Sequence, residues 1–148
     1  MRVLQRAVLG FIAASLSVLL FHQGMVGVLY LSGLVAQPPY DLSPVGPLEV
    51  PLLVSQCFWG GLYGALFGIV LPSLRGLPSW LPGFGLGLLS VLVGWFVVAP
   101  LNGLPVASDW DTAVMLRSVL INGSWGIGVG LIAPALMPRR RRAHRTFG

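Results

Sequence analysis

Four apolar runs, each about long enough to cross a bilayer as a helix, take up most of this 148-residue chain. The second run shows how strongly that constrains the fold. It reads from Gln56 to Leu71, stops at Pro72, and carries Gly60, Gly64 and Gly68 four residues apart, on one helix face. In water each glycine would cost a helix about 1 kcal/mol. In a bilayer the backbone must satisfy its own hydrogen bonds, so the helix forms regardless and the glycine face admits a second backbone. Gly126 and Gly130 repeat the spacing in the fourth run. Helix packing is the role expected of all five.

Charge content supports this reading. Charged residues make up 9% of the chain, against about a quarter in a soluble domain. Glycine, proline and tryptophan are abundant, as in membrane helices and their interfaces. The expected fold class is all-α, a polytopic four-transmembrane-helix bundle. Its spans fall at about 7–36, 51–71, 84–101 and 112–136, with a basic tail at 137–148. No room remains for a soluble domain. The single cysteine, Cys57, forms no internal disulfide and reads as a small packed residue.

Arg2 and Arg6 precede the first run, as in a signal peptide, but the run is about twice the length of a signal core. Leu34-Val35-Ala36 imitates a cleavage site; the length favours an uncleaved helix that tilts or projects. Basic clusters at both ends suggest a complete chain. Prolines at 38, 39, 44, 47 and 51 stiffen the first connection. Trp80, in the second connection, is placed like an interfacial anchor, and Pro100 ends the third span.

The arginines set an orientation. With four spans and a cytoplasmic N-terminus, eight of the nine arginines face the cytoplasm; Arg117 does not. Asp41, Glu49, Asp109 and Asp111 all face outward. Both termini are therefore expected in the cytoplasm. The Arg139–Arg145 tail then lies against anionic lipid, and nucleic acid is not an expected partner.

An internal repeat is suggested by residues 56–72 against 122–138. Gln56 falls on Asn122, Trp59 on Trp125, Gly60 on Gly126, Gly64 on Gly130 and Pro72 on Pro138, a shift of 66. The chain would then be two parallel hairpins, although His22 falls on Leu88 and chance also accounts for the match.

The candidate polar intramembrane residues are His22, Gln23, Gln56, Asn122 and Arg117. His22 is expected near mid-bilayer, where polar groups are costly and are functional suspects; an interhelical bond, a ligand contact and a proton relay remain open. Gln56 and Asn122 lie nearer the outer surface, as interhelical amide bonds or as part of a polar pocket with Trp59, Trp125 and Arg117. Arg117 has Asp109, Asp111 and Glu49 as candidate partners, or lipid phosphate. Asp111 is a plausible N-cap for the fourth helix. One membrane histidine and one cysteine make no haem or zinc site. No catalytic constellation is present, so no cofactor and no enzyme activity is expected.

Phe21-His22-Gln23-Gly24 in the first span, the proline-rich loop and Phe58-Trp59-Gly60-Gly61 in the second resemble a group of small uncharacterised bacterial inner-membrane proteins. The resemblance covers most of the chain. It implies a bacterial inner membrane and carries no activity. The leading expectation is a structural or accessory subunit that assembles with itself or within a larger membrane complex. A small oligomeric transporter or channel is the alternative, and a membrane-embedded binding protein or enzyme for a lipid or cofactor the third.

Overall fold

The computed structural model describes residues 1–74 and 76–137. Arg75 and the expected Arg139–Arg145 tail lie outside them. Four long apolar helices form the chain: α1 Val3–Leu31, α2 Leu52–Leu74, α3 Trp80–Leu101 and α4 Thr112–Leu136. The protein is all-α apart from one two-residue ladder in the first loop, where β1 (Pro44–Val45) pairs antiparallel with β2 (Val50–Pro51). Four such helices are consistent with a membrane-spanning bundle. Their outer faces agree, since Leu4, Leu20, Leu31 and Leu66 stand exposed with no polar cover.

Four helix boundaries differ from the expected spans: α1 begins at Val3, not 7, and α2 runs past Pro72 to Leu74 as a 3-10 turn. The first helix ends at Leu31, not Ala36, because Gly33 turns the chain through positive φ. The third begins at Trp80, not 84, because Pro82 sits in the first turn, where a missing N–H costs no intrahelical bond. Trp80 is thus a helix residue, about half exposed. Asp111 caps α4, its Oδ1 accepting from the N–H groups of Ala113 and Val114.

Two hairpins make the bundle. In each, the two helices cross where glycine removes the side chain between them. A Cβ at Gly64 would strike the Gly10 carbonyl and the Ala14 methyl, and one at Gly68 the Arg6 carbonyl. In the second hairpin a Cβ at Gly126 would strike the Gly83 carbonyl, and one at Gly130 the Ser79 carbonyl. The two crossings therefore match Gly64 with Gly126 and Gly68 with Gly130. That is one helical turn out of step with the sequence pairing. Gly60, which the sequence set against Gly126, instead faces the side chains of Val18 and Trp125.

The hairpins meet along α1 and α4. Ala13, Ala14 and Val18 of α1 pack against Trp125, Val129 and Ala133 of α4, with Phe67 of α2 closing the core. Ser17 Oγ donates to the Trp125 carbonyl at 2.7 Å, and Trp125 Nε1 donates back to the Ala14 carbonyl at 3.1 Å. The helices thus run in the spatial order α2, α1, α4, α3. Helices α2 and α3, at the two ends of that row, scarcely touch each other.

Candidate functional site

The gap between α2 and α3 is a cleft of about 820 Å3. Its walls are mostly apolar, from Leu62, Leu66, Val93 and Val98, with Trp59 and Tyr63 from α2 and Trp125 at the back. Leu66, Trp59 and Leu101 line it while standing exposed, so the cleft opens on the flank of the bundle. No Asp, Glu, Lys or Arg lines it among the described residues. Its polar groups are His22, Gln56, Ser90, Asn102 and Asn122.

Both π-helical turns among the described residues lie at this cleft. Val18–His22 in α1 and Gly94–Val98 in α3 are π-helical turns. Val18, His22, Gly94 and Val98 all line the gap. A π-turn inserts a residue and locally widens a helix, and such turns concentrate at functional sites.

A second, smaller cavity of about 280 Å3 lies under the first loop. Gln37, Pro38 and Asp41 form its cover, with Gln23 and Ser118 below. His22, Gln56 and Asn122 line both cavities. Three residues that the sequence nominated separately are therefore brought together, one each from α1, α2 and α4.

A hydrogen-bond network fixes this cluster. Gln23, buried at 3% exposure, is its hub. Its Nε2 donates to Gln56 Oε1 at 2.7 Å and points its other hydrogen toward His22 Nδ1 at 3.3 Å. Its Oε1 accepts the Tyr40 N–H at 2.7 Å. Because His22 Nδ1 faces a donor, the neutral ring's proton is assigned to Nε2. Tyr40 also donates its hydroxyl to the Leu19 carbonyl, inside the α1 π-turn, at 2.9 Å. On the other wall Asn122 Nδ2 donates to the Ser118 carbonyl at 3.0 Å, and Ser90 Oγ approaches Asn122 Oδ1 at 3.3 Å.

Two sequence expectations need correction. His22 is not midway along its helix, since nine residues, Gln23–Leu31, complete α1 after it. This places it toward the loop end. Arg117 does not line either cavity and meets no carboxylate among the described residues. Its Nη1 donates to the Leu34 carbonyl at 2.7 Å and its Nε to the Ala113 carbonyl at 3.0 Å, tying α4 to the chain just after α1. Cys57 is half-buried and packs on Ser15, whose hydroxyl donates to the Cys57 carbonyl at 3.0 Å.

Sequence reasoning missed Tyr40, Tyr63 and the role of Ser90. Ser90 carried a signal, a lone hydroxyl in an apolar span. Tyr40 carried none, because its part depends on how the loop folds back. No group of three metal-ligating side chains occurs among the described residues.

No family model, curated protein or solved structure matches the chain.

Proposed function

We propose that this is a membrane-embedded binding protein for an amphiphilic molecule, which enters the cleft between α2 and α3 sideways from the bilayer. The observation that carries this reading is the cleft itself. Its volume, about 820 Å3, lies within the range of small-molecule sites. It is apolar along its length and has polar side chains gathered toward the loop end. Two π-turns border it, which supports a space kept open for a purpose.

The accessory-subunit reading drew its support from glycine faces free to receive a partner. Gly64, Gly68, Gly126 and Gly130 are taken up inside the two hairpins, so that support is withdrawn. Transport coupled to protons has no buried carboxylate to rest on among the described residues of the cleft. As to setting, we propose a bacterial inner membrane with both termini cytoplasmic, on the distribution of the arginines. The similarity of the two glycine crossings supports an origin by hairpin duplication.

The test is to fill the cleft. A Cβ at Gly94 would meet nothing within 4 Å, so Gly94→Leu adds bulk there without a backbone clash. Gly85, exposed and equally free of neighbours, lies outside the cleft and is the control. In nanodiscs, quenching of Trp125 fluorescence by a brominated-chain lipid should saturate in the parent protein and in Gly85→Leu. It should be lost in Gly94→Leu. Equal quenching in all three would overturn the reading.

A further inference from the structure

The cleft and the chamber under the loop are separated by the same three side chains, His22, Gln56 and Asn122. We infer that the two spaces are halves of one site, which seats an apolar chain in the cleft and an uncharged, hydrogen-bond-accepting head at this partition, reachable by water from the loop side. The inference rests on the binding reading above and adds the chemistry of the head and the direction from which it is reached.

The donor inventory selects the head. Gln23 occupies His22 Nδ1 and Gln56 Oε1, which are the acceptor atoms of those side chains. What remains on each is a donor, the Nε2–H of His22 and the Nε2 amide of Gln56. Neither has a protein partner among the described residues. Asn122 gives one amide hydrogen to the Ser118 carbonyl and keeps the other, and its Oδ1 stays open, because the single Ser90 hydroxyl hydrogen goes to the Gly87 carbonyl at 2.7 Å. Three unspent donors outnumber the one side-chain oxygen left without a donor, Asn122 Oδ1, and match the oxygen of an ester or ketone carbonyl.

Charge excludes the other common heads. A carboxylate or phosphate would need an Arg or Lys, and neither cavity has one among the described residues. Asp41 at the edge of the chamber would repel it as well. A cationic head would find no carboxylate at the partition itself, since Asp41 stands away at the chamber's edge, where its Oδ1 already accepts the Ser43 N–H. An anion or cation held at the partition, with no side chain of opposite charge against it, would be poorly compensated.

The experiment compares four probes that share one chain: the methyl ester of dibromostearic acid, dibromostearate itself at alkaline pH, the corresponding dibromo-octadecyl trimethylammonium, and dibromo-octadecane. Trp125, 2% exposed and lining the cleft, is retained as the sole tryptophan so that annular lipid contributes little. The ester should bind about five- to tenfold more tightly than the alkane, the worth of one or two neutral hydrogen bonds, and more tightly than either ion. The double replacement His22→Phe, Gln56→Leu should abolish that preference while chain binding persists. His22→Gln, which keeps a donor, should retain part of it. Asn122→Cys in a Cys57→Ser background should react with a charged thiol reagent added on the loop side, and the ester should protect it.

The outcomes separate the two claims. Saturable quenching lost in Gly94→Leu, with ester no better than alkane, would overturn the head assignment and leave the cleft reading standing. So would an ester preference that survives the double replacement. Failure of the Asn122→Cys variant to react with the thiol reagent would overturn the water route. Absence of saturable quenching by any probe would remove the binding reading and this inference together.

Discussion

Gln23 on α1 donates its side-chain amide to Gln56 Oε1 on α2 at 2.7 Å, near the loop end of the first hairpin. The glycine crossing farther along brings the two backbones close, with the Ser15 hydroxyl bonded to the Cys57 carbonyl between it and the amide pair. The amide pair adds direction and sets the rotation of α1 so that His22 faces the cavities.

Gln23→Leu should therefore destabilise the protein by about 1–3 kcal/mol, because it leaves Gln56 Oε1 and the Tyr40 N–H, in two part-buried contacts, without their partner. Gln56→Leu should cost less, since Gln23 keeps its other contacts. A double-mutant cycle, read by reversible unfolding in mixed micelles, should give a coupling of about 1 kcal/mol. A coupling of zero would mean that the amide contact contributes no stability.

The crossing makes a sharper prediction. Gly64→Leu must drive α1 and α2 apart at Gly10, and should cost upward of about 2 kcal/mol. Gly24→Leu, at an exposed position with nothing within 4 Å, should be nearly neutral. Thermal unfolding in detergent separates them. Equal stability of the two variants would contradict close backbone approach at Gly64.

The four helices were legible because a long apolar run in a bilayer has no alternative to helix. Their ends were less so. The apolar run continues through Leu34-Val35-Ala36, but a turn at Gly33 outweighs it; Pro82, which the expected start at 84 left outside the span, is tolerated in a first turn. His22, Gln56 and Asn122 stood out singly as polar residues in apolar surroundings. Their convergence depends on α1 lying between α2 and α4, and sequence spacing carries no record of that order. The 66-residue alignment did not give the register of the two crossings, which match Gly64 with Gly126, one turn away. The π-turns and the Tyr40 contacts follow from tertiary packing, for which single residues offer no code.

The loop between α3 and α4 holds four consecutive non-glycine residues at positive φ, Ala107, Ser108, Asp109 and Trp110. A side chain in that region costs about 1–2 kcal/mol per residue, and glycine relieves it. Ser108→Gly, at φ 53°, should stabilise the protein by up to about 1 kcal/mol, offset in part by greater freedom in the unfolded chain. Calorimetry in nanodiscs would measure it. A clear loss of stability would mean that the Ser108 side chain does something the strain does not reveal.

The loop between α1 and α2 is the place where pH should act. Asp41 Oδ1 accepts the Ser43 N–H at 2.8 Å, and the carbonyls of Ser43 and Asp41 accept the first two amides of α2, at Leu52 and Leu53. Hydrogen bonds with Ser43, the side chain first and the backbone second, hold the Asp41 carboxyl below its ordinary 3.8. A carboxyl depressed on folding contributes stability that is fully present above its unfolded value. That contribution is lost as pH falls through the folded value. The loop should thus be unchanged from neutral pH down to about pH 5 and loosen only below the ordinary carboxylate range. Protection factors for the Leu52 and Leu53 amides, from hydrogen exchange in nanodiscs, should fall in that acid window. Asp41→Ala should lower them at neutral pH and remove the acid step. Protection that declines equally with and without Asp41 would assign the acid sensitivity to another group.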